Sequence, residues 1–324
     1  MLTHIQNLGF RAAEFSIAPL SEAERNQTLK TLRHYYGEAS QSVFVPHEKE
    51  SELRLALQEA APTLAKLGLE LRERLDQDYS LMLIKRTWID HLDLDTRSAV
   101  LFALSLSMGS PTPTDQVDKK VVWDIRTLGD KMEKGHVPTF SEHAYEAALH
   151  TDTQYYEDPE RFMLLYYNQP AKCGGGLSYC RDVTSIKEEM SKTQDGRWAL
   201  DVLETEELPF RIPMTFTSDG SQTAEEVTFA PILAQRPHIR YRKDTLERGF
   251  KLHPEKDTPT VRKALNLFTE ELFKPQPALS AFVERDSMLA LNNHECLHGR
   301  SEFSDPERHA FRIRIAAQQD QINV

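Results

Sequence analysis

The chain is short of cysteine, of positive charge and of long apolar runs, and each shortage removes a class of function. Only three cysteines occur in 324 residues: Cys173, Cys180 and Cys296. An odd, sparse set fits a reducing cytoplasm better than a disulfide framework. Cys173 and Cys180 have no second pair to complete a zinc ribbon. We read all three as small packing residues or free thiols near a pocket. The formal net charge is −11 and the pI about 5.6. The broad basic surface of a nucleic-acid-binding protein is therefore missing, although a small basic pocket for an anion is compatible with that balance. No apolar run approaches the roughly 18 residues of a membrane span. The first residues lack the basic start and apolar core of a signal peptide. The expectation is a cytoplasmic protein acting on a small molecule, without nucleic-acid or membrane partners; homo-oligomerisation stays open.

What is present is an ordinary globular composition, 40% hydrophobic and 27% charged. Internal repeats, low-complexity segments and convincing linkers are lacking, so one domain over 1–324 is expected. Its first 78 residues read as mainly helical. Ser21 and Glu24 form an S-x-x-E capping box ahead of Leu29, Leu32 and Tyr35. From Leu53 to Leu71 leucines and an alanine recur at threes and fours, with Pro62 starting or kinking a helix. Strands are expected at 79–86, 121–126, 161–167, 177–180, 209–217, 226–233, 238–243, 287–291 and 311–315. Further helices are expected at 95–106, 183–193, 198–206 and 259–274. The glycine run Gly174-Gly175-Gly176 lacks the Lys and Ser/Thr of a phosphate loop and reads as a tight turn. Helices first and many strands after give a mainly β fold with helical buttresses, a sandwich or jelly roll. The helical stretch around 183–275 is then an insertion in a core spanning 79–324.

The chemistry gathers at Leu149-His150-Thr151-Asp152-Thr153. On a strand, residues i and i+2 share a face, so His150 and Asp152 would aim at one point. A third ligand must come from elsewhere, and His298 is the best candidate. Two histidines and one carboxylate on one face of a metal, with other positions open, are the donor set of non-haem Fe(II) oxygenases. A competing pattern overlaps His298. His294-Glu295-Cys296-Leu297-His298 is formally H-E-x-x-H, the zinc-peptidase motif, which works on a helix. Here it follows two asparagines and is closed at once by Gly299. The extended form would also need a glycine at 301 and a histidine at 304, where the chain has Ser301 and Ser304. The zinc metallopeptidase remains the alternative function.

From about Tyr79 to Ile315 the sequence resembles the TauD/TfdA family of Fe(II)/2-oxoglutarate dioxygenases, closest in flavour to the clavaminate-synthase-like amino-acid hydroxylases. The resemblance rests on residues 122–126 (Val-Trp-Asp-Ile-Arg), the run from His150 to Tyr156, the glycine run with Ser178, residues 240–244, and the nine residues from Asn292 to Arg300. It continues through Phe303, Asp305-Pro306 and Arg308. It implies a double-stranded β-helix, the cupin-like jelly roll. It implies Fe(II) held by His150, Asp152 and His298, with 2-oxoglutarate as cosubstrate and O2 as oxidant. A family arginine ten to fifteen residues past the distal histidine binds the far carboxylate of 2-oxoglutarate, and a second often follows four residues on. Arg308 and Arg312 have that spacing, with Arg308 favoured for the cosubstrate and Arg312 for a substrate anion; the reverse assignment stays open. Ser178 stands where the family has a threonine on the same carboxylate. For Arg314, a solvated strand face is an equally good reading. Asp244 lies where relatives place a carboxylate for a substrate amino group, and Gln154 and Ser141 flank the pocket. Related halogenases replace the metal carboxylate with Gly or Ala, so Asp152 argues for hydroxylation or desaturation. The implied substrate is small and polar, an amino acid or derivative, with succinate and CO2 released.

Overall fold

The computed structural model describes residues 3–9, 11–37, 44–114, 118–127, 143–213, 226–274 and 278–317. Two sheets lie between two helical layers. The larger has the order β1 (Thr3–Gly9), β2 (Ala12–Ser16), β3 (Leu81–Ile84), β12 (Met288–Asn292), β7 (Phe162–Gln169), β14 (His309–Ala316), β4 (Ser110–Thr112), with β5 (Trp123–Ile125) also on β14. The smaller has the order β11 (Ala278–Ala281), β8 (Ser178–Asp182), β13 (Cys296–Arg300), β6 (Ala147–His150). Among the described residues the strand pairings are antiparallel except that of β2 with β3.

Strand alternation sorts the side chains into layers. Leu81, Leu83, Met163, Tyr167, Leu289 and Leu291 of the larger sheet meet Cys180 and Cys296 of the smaller one in a shared interior. The intervening residues Met82, Leu164, Tyr166, Met288 and Ala290 face the other way. They pack on α1 (Glu22–Tyr36), α2 (Glu50–Ala60), α3 (Pro62–Gln77) and α4 (Leu94–Met108). α4 is buried at every position from Arg97 to Met108, which explains its all-round apolar sequence. Over the outer face of the smaller sheet lies the insertion. It holds α5 (Val183–Ser191), α6 (Gln194–Thr205), α7 (Lys243–Leu252), α8 (Pro259–Leu272) and the two-stranded β9 (Leu208–Arg211) and β10 (Val227–Ala230), and it packs on Leu149 and Leu297. Arg181 anchors it, donating from β8 to the carbonyls of Glu271 and Leu272 at the end of α8.

The first helix starts at its Ser21 capping box as expected, whereas α4 is capped by Asp93, two residues before the expected start at 95, and α8 by Thr258. Ser21 accepts from Glu24 N, Asp93 from Thr96 N and Thr258 from Val261 N. Among the described residues before 79 lie three helices, the third started by Pro62, and also two strands that extend the larger sheet. The segment 238–243 is not a strand. It makes one isolated bridge, Leu233 with Ile239, and then enters α7, which starts at Lys243. Its Ile-Arg-Tyr apolar–polar alternation is fixed by tertiary contacts rather than by a ladder. Cys180 and Cys296 are buried thiols and Cys173 is exposed; none is bridged.

Leu291, 1% exposed between the two sheets, is expected to cost about 2–5 kcal/mol when changed to Ala. Leu55, 62% exposed, is expected to cost little when changed the same way. Urea unfolding midpoints of the two variants check this.

Candidate active site

β6 and β13 are neighbours, and their register sets His150 directly opposite His298. Paired residues share a face, so both imidazoles project into the space between the sheets. Their rings are 4.4 Å apart. Gly299 allows the two strands this approach: a Cβ there would lie 2.6 Å from the Ala147 carbonyl oxygen.

Asp152 arrives differently from the expectation of one strand carrying both ligands. β6 ends at His150, and Thr153 turns the chain with φ 51°. A β-branched residue in that region is strained and must be held by its surroundings. The surroundings are specific. Thr151 N donates to Tyr241 O, and Tyr241 N donates to Thr151 Oγ1. Asn293 takes the place of a strand neighbour: its Oδ1 accepts from Asp152 N at 2.8 Å, and its Nδ2 donates to Asp152 O at 3.0 Å and Glu160 O at 2.8 Å. Arg240, buried, donates to the carbonyls of Gln154, Tyr156 and Glu157. Thr153 Oγ1 donates to Glu160.

The result is a compact donor set. Asp152 Oδ1 lies 3.6 Å from His150 Nε2 and 3.9 Å from His298 Nε2. One ligand atom from each of the three falls within 4.8 Å of the others, the only such His/Cys/Asp/Glu group among the described residues. His150 Nδ1 is 2.8 Å from the Ala148 carbonyl oxygen, so it carries the proton and Nε2 presents its lone pair inward. Burial pushes the His298 pKa down to about 3, helped by its neighbour His150, so that ring also keeps a free lone pair. Burial works against the Asp152 carboxylate, but Arg312, His150 and His298 outweigh it and hold the group well below its usual range. Two imidazoles with a ring nitrogen turned inward and one carboxylate fit a divalent cation.

Arg312 Nη1 is 3.1 Å from Asp152 Oδ2. Arg308 lies on the same side, its guanidinium over the rings of Tyr167 and Phe303 and its Nη1 without a protein acceptor among the described residues. The Tyr167 hydroxyl is 2.7 Å from Ser178 Oγ. Gly176, at φ 78°, brings its backbone against the Arg308 side chain. Arg314 is 3% exposed and donates to Pro113 O, so the arginines of β14 are not a solvated face. Gln154 is fully buried with Nε2 on Thr245 Oγ1, and Asp244 is paired through both oxygens with Arg242. Ser141 lies outside the described residues.

The H-E-x-x-H pattern is a coincidence of spelling. Residues 293–295 form the turn between β12 and β13, so no helix brings His294 and His298 to one face. His294 Nε2 lies 2.8 Å from the Pro159 carbonyl oxygen. Glu295 pairs with Arg11 and sits 3.4 Å from His238 Nδ1. Asn293, Arg240 and Tyr167 had no sequence-level signal beyond their neighbourhood, because each acts through contacts distant in the chain.

A two-histidine, one-carboxylate centre between two antiparallel sheets is the site of a non-haem iron oxygenase. Residues 45–314 match the model of the family described as taurine catabolism dioxygenase TauD, TfdA family, and the chain belongs to that family. It is thereby an Fe(II)- and 2-oxoglutarate-dependent oxygenase. No curated protein matches it. Among solved structures it is similar to asparagine oxygenase in complex with Fe(II), 2S,3S-3-hydroxyasparagine and succinate, at 15% identity over 94% of each chain with a TM-score of 0.67. It is likewise similar to the non-heme iron oxygenase OrfP in complex with Fe, succinate and (3S)-hydroxy-L-Arg, at 15% identity over 94% of each chain with a TM-score of 0.64. At that identity the likeness establishes the fold.

Replacing Asn293 by Leu removes three buried main-chain hydrogen bonds while keeping the volume. Metal affinity, followed by the visible absorbance of bound Co(II), is expected to fall about 10–100-fold, as for other residues that orient a ligand. An unchanged Co(II) titration would show that the Asp152 turn holds itself.

Proposed function

We propose that the chain hydroxylates, or desaturates, a small polar substrate, an amino acid or derivative, in the space between the sheets of a jelly-roll core. The observation that carries the reading is the convergence of His150, Asp152 and His298 with Arg312 3.1 Å from the carboxylate. His150, Asp152 and His298 would hold Fe(II). When bound, iron(II) with 2-oxoglutarate and O2 supplies the oxidation of an unactivated C–H bond, releasing succinate and CO2. Everything else is binding and positioning.

Arg308 would take the distal carboxylate of 2-oxoglutarate. It is buried, offers an unpartnered Nη1, and neighbours the Tyr167–Ser178 hydroxyl pair, which adds a donor for the same group. Arg312 sits closer to the donor set, paired with Asp152, and suits a substrate carboxylate. Burial works against the Asp244 carboxylate, but its pairing with Arg242 outweighs it and holds the group below its usual range; Asp244 would meet a substrate amino group by sharing with Arg242. Gln154, whose Oε1 is buried without a donor among the described residues, would complete that end of the pocket, with Ser141 a further candidate. Amino-acid chemistry is supported by the hydroxylated asparagine and arginine held by the similar structures. A cytoplasmic location and absence of nucleic-acid and membrane partners belong to the same reading, with homo-oligomerisation left open; among the described residues no helix is long and apolar enough to cross a membrane.

Adding 2-oxoglutarate to the anaerobic Fe(II) protein is expected to give a weak visible charge-transfer band, and its absence would sink the assignment. Asp152→Ala is expected to abolish succinate release, whereas Glu295→Gln is expected to retain it; undiminished succinate release from Asp152→Ala would sink the metal triad. Losing a charge-assisted hydrogen bond costs about 1.5–3 kcal/mol, so Arg308→Gln is expected to raise the KM for 2-oxoglutarate about 10–100-fold. An effect of Arg308→Gln on substrate KM alone would exchange the roles of Arg308 and Arg312.

A further inference from the structure

We propose that the chain carries a second anion site, on the helix side of the larger sheet, for a small oxoanion group such as a phosphate or a carboxylate. Strand alternation separates it from the metal centre. Tyr167 of β7 points between the sheets to Ser178, while Asn168 points the opposite way, toward α4, and meets Arg97. A cavity of about 320 Å³ opens there, with Arg97, Arg126, Asn168, Arg285 and His309 in its lining. Arg308 closes one wall, but its guanidinium is turned to the rings of Tyr167 and Phe303.

Two unmet demands face this cavity. Arg97 is 9% exposed, and its hydrogen bonds go to neutral oxygens: Ile89 O, Asp90 O and Asn168 Oδ1. Among the described residues it has no carboxylate within ion-pair distance. A buried guanidinium keeps its proton and calls for a counter-charge. Accepting from Arg97 identifies the Asn168 oxygen, which leaves Nδ2 as a buried donor, without an acceptor among the described residues, on a side chain 4% exposed. One anionic group bound beside Arg97 and Asn168 answers both demands. At the mouth, Arg126 and Arg285 have half-exposed side chains. Their own charges are partly met, by Asp124 at 3.1 Å and by Asp90 at 3.6 Å, and Glu307 also lines the cavity. The rim arginines would therefore guide and hold the outer part of a ligand, and the deep pair would select its charged end. The volume suits a small molecule.

The test uses protein loaded anaerobically with Fe(II) and 2-oxoglutarate, so that Arg308 and Arg312 are already engaged and the visible band reports on the metal centre separately. Inorganic phosphate and succinate are titrated in turn by calorimetry and by thermal midpoint. At least one is expected to bind saturably, and the tighter of the two identifies the group the site prefers. Asn168→Leu and, at the rim, Arg285→Gln are each expected to weaken that binding tenfold or more while leaving the band unchanged. Arg285→Gln keeps the test valid if Asn168→Leu fails to fold. Equal binding in the wild type and in Arg285→Gln would place the anion elsewhere. Absence of saturable binding by either anion would overturn the proposal.

Discussion

A carboxylate closed away between two sheets is the constraint that the rest of the site satisfies. Asp152 is 5% exposed, and a charge in that position must be met by cations and donors at short range. Arg312 meets it from β14, and the two imidazoles approach it from β6 and β13. Each of these groups is itself on a strand with buried neighbours, so none can relax without disturbing a sheet. The turn after His150 is accordingly held from outside, by Asn293, Tyr241 and Arg240, instead of by its own propensity.

The layered architecture gives every strand of the interior a chemical face and a packing face. On β14 the isoleucines Ile313 and Ile315 join the helical layer, while Arg312 faces the donor set. On β13 Leu297 packs against the insertion while His298 looks inward. On β7 Tyr167 serves the space between the sheets and Asn168 the opposite side. The same period-two geometry that buries the core therefore sets which side chains meet a ligand, and it explains why β7 presents Tyr167 and Asn168 to opposite sides of its sheet.

Much of the site was legible in residue type and spacing. His150 and Asp152 announced a metal fragment, and His298 with Arg308 and Arg312 matched a known family. The errors have physical reasons. Asp152 was placed on a strand because i, i+2 spacing is read as alternation, whereas the ladder stops at His150 once Asn293 supplies the next pairing. The segment 238–243 reads as a strand because Ile239 and Tyr241 alternate with basic residues, yet its backbone groups are taken by Ile232, His294 and Thr151. Arg314 could be read as solvated because alternation alone does not say whether a second sheet covers the polar face.

By itself the sequence determined the donor chemistry, the helix start at Ser21, and the apolar periodicities that make the layers. Those depend on local backbone geometry and on the kind of side chain, which are properties of neighbouring residues. Only the tertiary structure decided that His294 and Glu295 belong to a turn and an ion pair, that Asn293 positions Asp152, and that Arg314 is buried. Those outcomes depend on which strand lies beside which, and on whether a polar face meets water or another sheet. Contacts across more than a hundred residues set both.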